Sequence, residues 1–75
     1  MEVIGVEDFL KLISNIMEVP IERINLSTSQ SDLLEWDSLM QLRLLSEIES
    51  KYKVSIPYED VSKIKTLEGF YQYIK

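Results

Sequence analysis

A chain of 75 residues that contains neither cysteine nor histidine has to fold on side-chain packing alone. Domains of this size sit near the limit at which a single hydrophobic core suffices, and disulfides or a structural metal are the usual reinforcement. Neither is available here. The apolar residues, 45 % of the composition, must therefore be well organised, and their spacing is largely helical.

From Val6, the positions Val6, Phe9, Leu10, Ile13, Ile16 and Met17 recur every three or four residues, which predicts one buried helical face. Glu7 and Asp8 fall in the first turn, where negative charge meets the positive end of the helix dipole, and Pro20 stops the helix. Gly5 marks its start.

Residues 19 to 36 hold no sustained period. The stretch reads as a long loop with a Ser/Thr/Gln run from Ser27 to Ser31, and its spaced apolar residues Ile21, Ile24, Leu26, Leu33 and Leu34 are expected to pin it to the core. A short helical turn fits Pro20 to Ile24.

A second helix is predicted from about Ser38 to Tyr52, uninterrupted by proline or glycine. At 100 degrees per residue, Leu44, Leu45, Ile48 and Tyr52 share one side, flanked by Met40 and Leu42. Leu39 falls nearly opposite, on a polar face with Arg43, Ser46, Glu47 and Ser50. That makes it a candidate partner contact.

Lys53 to Pro57 reads as an extended connector, since no second strand exists to pair with Val54 and Ile56. Pro57 suits the start of a short third helix with Glu59 and Asp60 in its first turn, Lys63 and Lys65 at its end, and Val61 and Ile64 inward. Thr66 is placed to cap a fourth helix whose stripe is Leu67, Phe70, Tyr71 and Ile74, weakened somewhat by Gly69. The expected architecture is all-α: three main helices and one short one around one core, with residues 1–75 forming a single domain.

The inventory of reactive groups argues against an enzyme. A serine nucleophile needs a general base, and the chain has no histidine. Asp37 beside Ser38 is a weak base whose side chain points elsewhere. Asp32, Glu35 and Asp37 lack a calcium-loop pattern, so no metal site is expected. With Gly5 and Gly69 the only glycines, no phosphate-binding loop is present either.

A net charge of -5 disfavours nucleic acid. No apolar run approaches the roughly 20 residues that cross a bilayer, and no export signal opens the chain. The expectation is a soluble, cytoplasmic monomer whose partners are basic proteins.

One serine stands out. Ser38, in Trp36-Asp37-Ser38-Leu39, lies where the irregular stretch becomes the second helix. Ser38-Leu39-Met40-Gln41 fits a capping box, the serine accepting from a helical amide while the glutamine reaches back. The same hydroxyl is exposed, and the helix N-terminus favours a phosphate attached there.

At these residues the chain resembles the acyl carrier proteins, whose serine in Asp-Ser-Leu carries 4'-phosphopantetheine. The resemblance covers nearly the whole chain. It includes Asp32-Leu33-Leu34 before the serine, Glu47-Ile48-Glu49 late in the second helix, Val54-Ser55-Ile56-Pro57, Glu59-Asp60, Ile64-Lys65-Thr66-Leu67 and Tyr73-Ile74. It implies that Ser38 acts as the nucleophile towards coenzyme A on a separate phosphopantetheinyl transferase, which holds the magnesium. The resulting thiol would carry acyl intermediates for acyl-processing enzymes. Leu39, Met40, Arg43 and Glu47 become the implied contacts, with Glu35 and Asp37 at the docking rim. A carrier for amino acids or D-alanine, loaded by an adenylating ligase, and an unmodified helical interaction module are the alternatives.

Two departures from the carrier pattern mark this chain. Glu35-Trp36 stands where a glycine and a small residue are common, as in a subtype with Trp-Asp-Ser-Leu, so Trp36 shields the base of the arm, contacts a partner, or packs the loop against the second helix. Arg43 interrupts a helix that is nearly uniformly acidic in fatty-acid carriers. Asp32, Glu35, Asp37, Glu47 and Glu49 are expected to surround the serine and steer a basic partner, with Lys51, Lys53, Lys63 and Lys65 away from that rim.

Overall fold

The computed structural model describes residues 5–74. Its α-helices are α1 (Val6–Met17), α2 (Ser38–Tyr52), α3 (Tyr58–Val61) and α4 (Leu67–Tyr71), and no strand occurs among the described residues. Two single-turn 3-10 helices, Ile21–Arg23 and Gln30–Asp32, punctuate the long α1–α2 loop. The first of them is the predicted turn after Pro20.

The amphipathic stripes become one core. Phe9 and Ile13 of α1, Leu44 and Ile48 of α2, and Leu67 and Phe70 of α4 are completely buried. Aromatic contacts tie distant elements together: the Phe9 and Tyr71 rings lie 5.3 Å apart and those of Trp36 and Phe70 6.4 Å apart, both tilted. Leu45 and Tyr52 are only half-buried, and Gln41 joins Leu44 and Ile48 on the buried face of α2. Of the third and fourth helices only single turns are regular, and Lys63 and Lys65 fall in the connection beyond α3 rather than at its end.

α1 stops before Pro20 is reached. Glu18 adopts a left-handed conformation at φ 58°, and its N–H donates to the Ser14 carbonyl, closing the helix. Lys53 at the end of α2 takes the same left-handed conformation, at φ 55°.

The loop is anchored by backbone as much as by side chains. Gln30 N–H donates to the Lys65 carbonyl at 2.8 Å, Leu67 N–H to Thr28 at 3.1 Å and Glu68 N–H to Leu26 at 3.0 Å, around an isolated Ser29–Thr66 bridge. Ile24 and Leu33 are buried as expected. Leu34 is not: it stands 99 % exposed, because the turn that buries Leu33 directs its neighbour outward.

Gly69 has a packing role. A Cβ there would lie 2.9 Å from Ile64 Cγ2, so only glycine permits α4 to approach the segment before it this closely.

Candidate functional site

The site is built at the start of α2. Asp37, not Ser38, is the N-cap: its backbone is extended and its Oδ1 accepts from Met40 N–H at 2.8 Å. The expected Ser38 capping box is therefore displaced by one residue, and Ser38 becomes the first helical position. Capping by Asp37 leaves the Ser38 side chain exposed and without a hydrogen bond among the described residues.

Gln41 does not reach back either. It turns into the core, where its Oε1 accepts from the Trp36 indole N–H and its Nε2 donates to the Val61 carbonyl at 2.9 Å and the Ile64 carbonyl at 3.2 Å. Trp36 is 2 % exposed. Of the two readings of that residue, core packing is the one realised; no ring surface remains for a partner.

The other expected contacts are at the surface. Leu39 is 78 % exposed, Arg43 and Glu47 are exposed beside it on the outer face of α2, and Met40 is half-buried against the core. Glu35 is half-buried, with one carboxylate oxygen 3.6 Å from Arg23. Leu34, Leu42 and Tyr58 are exposed too, apolar surface that the helical pattern alone did not single out.

The carboxylates expected around the serine are largely tied to the fold, Glu49 at the far end of α2 from Ser38. Asp32 accepts from Ser29 N–H, Asp37 from Met40 N–H and Glu49 from Ile56 N–H, while Glu35 faces Arg23. Hydrogen bonding from the Ser29 backbone first, and from its hydroxyl second, holds the Asp32 carboxyl below its ordinary value of 3.8. Of these five carboxylates, Glu47 is the one with no hydrogen bond or ion pair among the described residues. Lys65 is not remote from the site, as expected above. The bond from Gln30 N–H to its carbonyl draws it to a cleft of about 360 Å³ that also includes Ser38, Gln41, Leu42, Tyr58 and Val61.

A match to the family model described as the phosphopantetheine attachment site extends over residues 7–74. The chain belongs to this phosphopantetheine-attachment family. It is 32 % identical over 74 residues to an acyl carrier protein of Brachyspira hyodysenteriae, covering 88 % of this chain and 95 % of that one. Similarity to an acyl carrier protein of Buchnera aphidicola is 34 % over 64 residues (85 % and 81 % of the two chains), and to one of Chlorobium phaeobacteroides 35 % over 68 residues (91 % and 87 %). Membership makes the protein a carrier of covalent 4'-phosphopantetheine and not an enzyme.

The start of α2 fits that group. The helix leaves the N–H groups of Ser38 and Leu39 without an intrahelical partner, and its dipole presents partial positive charge where a phosphodiester on Ser38 would lie. No group of His, Asp or Glu side chains among the described residues is placed to hold a metal, and no helix there is long and apolar enough to cross a membrane.

Proposed function

We propose that Ser38 is the attachment point and that the protein carries acyl groups as thioesters between biosynthetic enzymes. The observation that carries this reading is the free Ser38 hydroxyl at the first position of α2, released from capping by Asp37. Ser38 Oγ attacks the phosphorus that bears pantetheine in coenzyme A. A phosphodiester forms, the pyrophosphate bond breaks, adenosine 3',5'-bisphosphate leaves, and the serine proton passes to a base of the transferase. When bound, the arm supplies a terminal thiol that holds the acyl group.

Asp37 orders the first turn, and the unpaired N–H groups of Ser38 and Leu39 meet the phosphate charge. A phosphopantetheinyl transferase, an acyl or aminoacyl ligase and acyl-processing enzymes are the partners. They dock on the outer face of α2 through Leu39, Arg43 and Glu47, edged by Met40, Glu35 and Asp37 and extended by Leu34 and Leu42. An apolar anchor within a charged surround gives both affinity and orientation. The cysteine-free composition fits work in a reducing cytoplasm.

Incubation with coenzyme A, magnesium and a transferase of broad specificity should add one phosphopantetheine by intact mass. Ser38→Ala should abolish the addition. Modification of the Ser38→Ala protein, or none of the wild type with any transferase, would refute the assignment.

A further inference from the structure

We infer that Gln41 seals the interior of this carrier beneath Ser38, so that its cargo stays in the outer cleft between α2 and α3 and is a short or polar acyl group. The inference rests on attachment at Ser38. Gln41 and Thr28 are the buried polar side chains among the described residues, and Gln41 lies one helical turn after Ser38. Its amide is used from both ends, accepting from Trp36 Nε1–H and donating to two carbonyls 20 and 23 residues away.

Those partners sit on three segments. Trp36 belongs to the loop before α2, Val61 ends α3, and Ile64 lies in the connection to α4; all three are buried. Gln41 therefore laces α2 to the loop before it, to the end of α3 and to the connection before α4. An alkyl chain passing inward has to part α2 from the Val61–Ile64 segment. That strands the indole N–H, two carbonyls and both ends of the amide in a dry interior, and an alkyl chain offers none of them a partner.

Outside the seal the walls are mixed. Leu42 and Tyr58 offer exposed apolar surface, while Glu59, Ser62 and Lys65 offer charge and hydroxyl. A short or polar acyl group is matched to such walls and to water. A long alkyl chain gains less there than in a closed core, because the cleft is open on one side and leaves part of the chain in water.

Two measurements test this. In the unmodified protein the single indole N–H, that of Trp36, should exchange roughly 100-fold or more slowly than an exposed indole, as local opening of a buried hydrogen bond requires, and Gln41→Ala should remove most of that protection. Exchange at the exposed rate in the wild type overturns the seal. The second measurement loads Ser38 with acetyl or octanoyl arms from the corresponding acyl-coenzyme A and records Tm and the core methyl spectrum. Wild-type protein should show the same Tm with both arms and unmoved Leu44 and Ile64 signals; in Gln41→Ala the octanoyl arm alone should raise Tm and shift them. An octanoyl-dependent rise in wild-type Tm with shifted core methyls overturns the inference, and this comparison stands even if the variant does not fold. Refusal of both arms overturns attachment itself, and the indole exchange rate separates that failure from a failure of the seal.

Discussion

Replacing Asp37 and Ser38 one at a time separates holding the helix from offering the hydroxyl. Asp37→Ala removes the acceptor that lies 2.8 Å from Met40 N–H at the start of a 15-residue helix. Loss of an N-cap of this type costs about 1 kcal/mol, within a range of roughly 0.5–2. The carboxylate's interaction with the helix dipole adds at most a few tenths of a kcal/mol (~0.3), because Asp37 is exposed and salt screens it. For a domain of this size 1 kcal/mol corresponds to about 4–8 °C in Tm, so Asp37→Ala should melt lower by that amount.

Asp37→Asn keeps a capping oxygen and should lose only ~1–2 °C, the charge contribution alone. Ser38→Ala removes a side chain with no hydrogen bond among the described residues and introduces a better helix former, so its Tm should match the wild type or exceed it slightly. Thermal melts followed by circular dichroism at two salt concentrations give all three values. If Ser38→Ala falls as far as Asp37→Ala, Ser38 is the cap after all and the reasoning about its free hydroxyl is wrong.

Three further outcomes follow from the same contacts. Gly69→Ala should destabilise by up to about 2 kcal/mol in urea titration: overpacking against Ile64 Cγ2 at 2.9 Å typically costs ~1–3 kcal/mol, against the ~1 kcal/mol that alanine gains by helix propensity; a stabilised variant would show that Ile64 can give way. Trp36→Phe preserves most of the ring packing on Phe70 but leaves Gln41 Oε1 unpaired in the core, so a loss of about 1–3 kcal/mol is expected, and a neutral result would mean that the bond contributes nothing. Asp32 is an acid whose folded-state value is lowered, so its contribution is fully present above the unfolded value and disappears as pH falls through the folded one. The Tm advantage of wild type over Asp32→Asn should accordingly shrink between about pH 5 and pH 3, and a gap independent of pH contradicts the proposed bonding to Ser29.

Much of the fold was legible because helical faces are local. Three- and four-residue spacing is enough to place Phe9, Ile13, Leu44, Ile48, Leu67 and Phe70 inward, whatever lies opposite them. Thr66 as the cap of α4 was legible for the same reason, its hydroxyl oxygen accepting from Gly69 N–H three residues on. Capping at α2 was not, since Asp37 and Ser38 are both good caps in adjacent positions and spacing does not separate them. The one-residue difference decides whether the hydroxyl is occupied or free.

What the amino-acid sequence by itself determined is the set of amphipathic helices, the absence of any thiol or imidazole chemistry, and the presence of a serine at the loop–helix junction. Only the tertiary structure decided that Trp36 is core, that Gln41 joins three segments beneath the site, and that Lys65 belongs to the cleft beside Ser38. Each of these depends on contacts between residues far apart in the chain or on loop backbone pairing such as that of Gln30 with Lys65. Such contacts leave no periodic trace, because they form only after the helices have packed and the loop has closed on them.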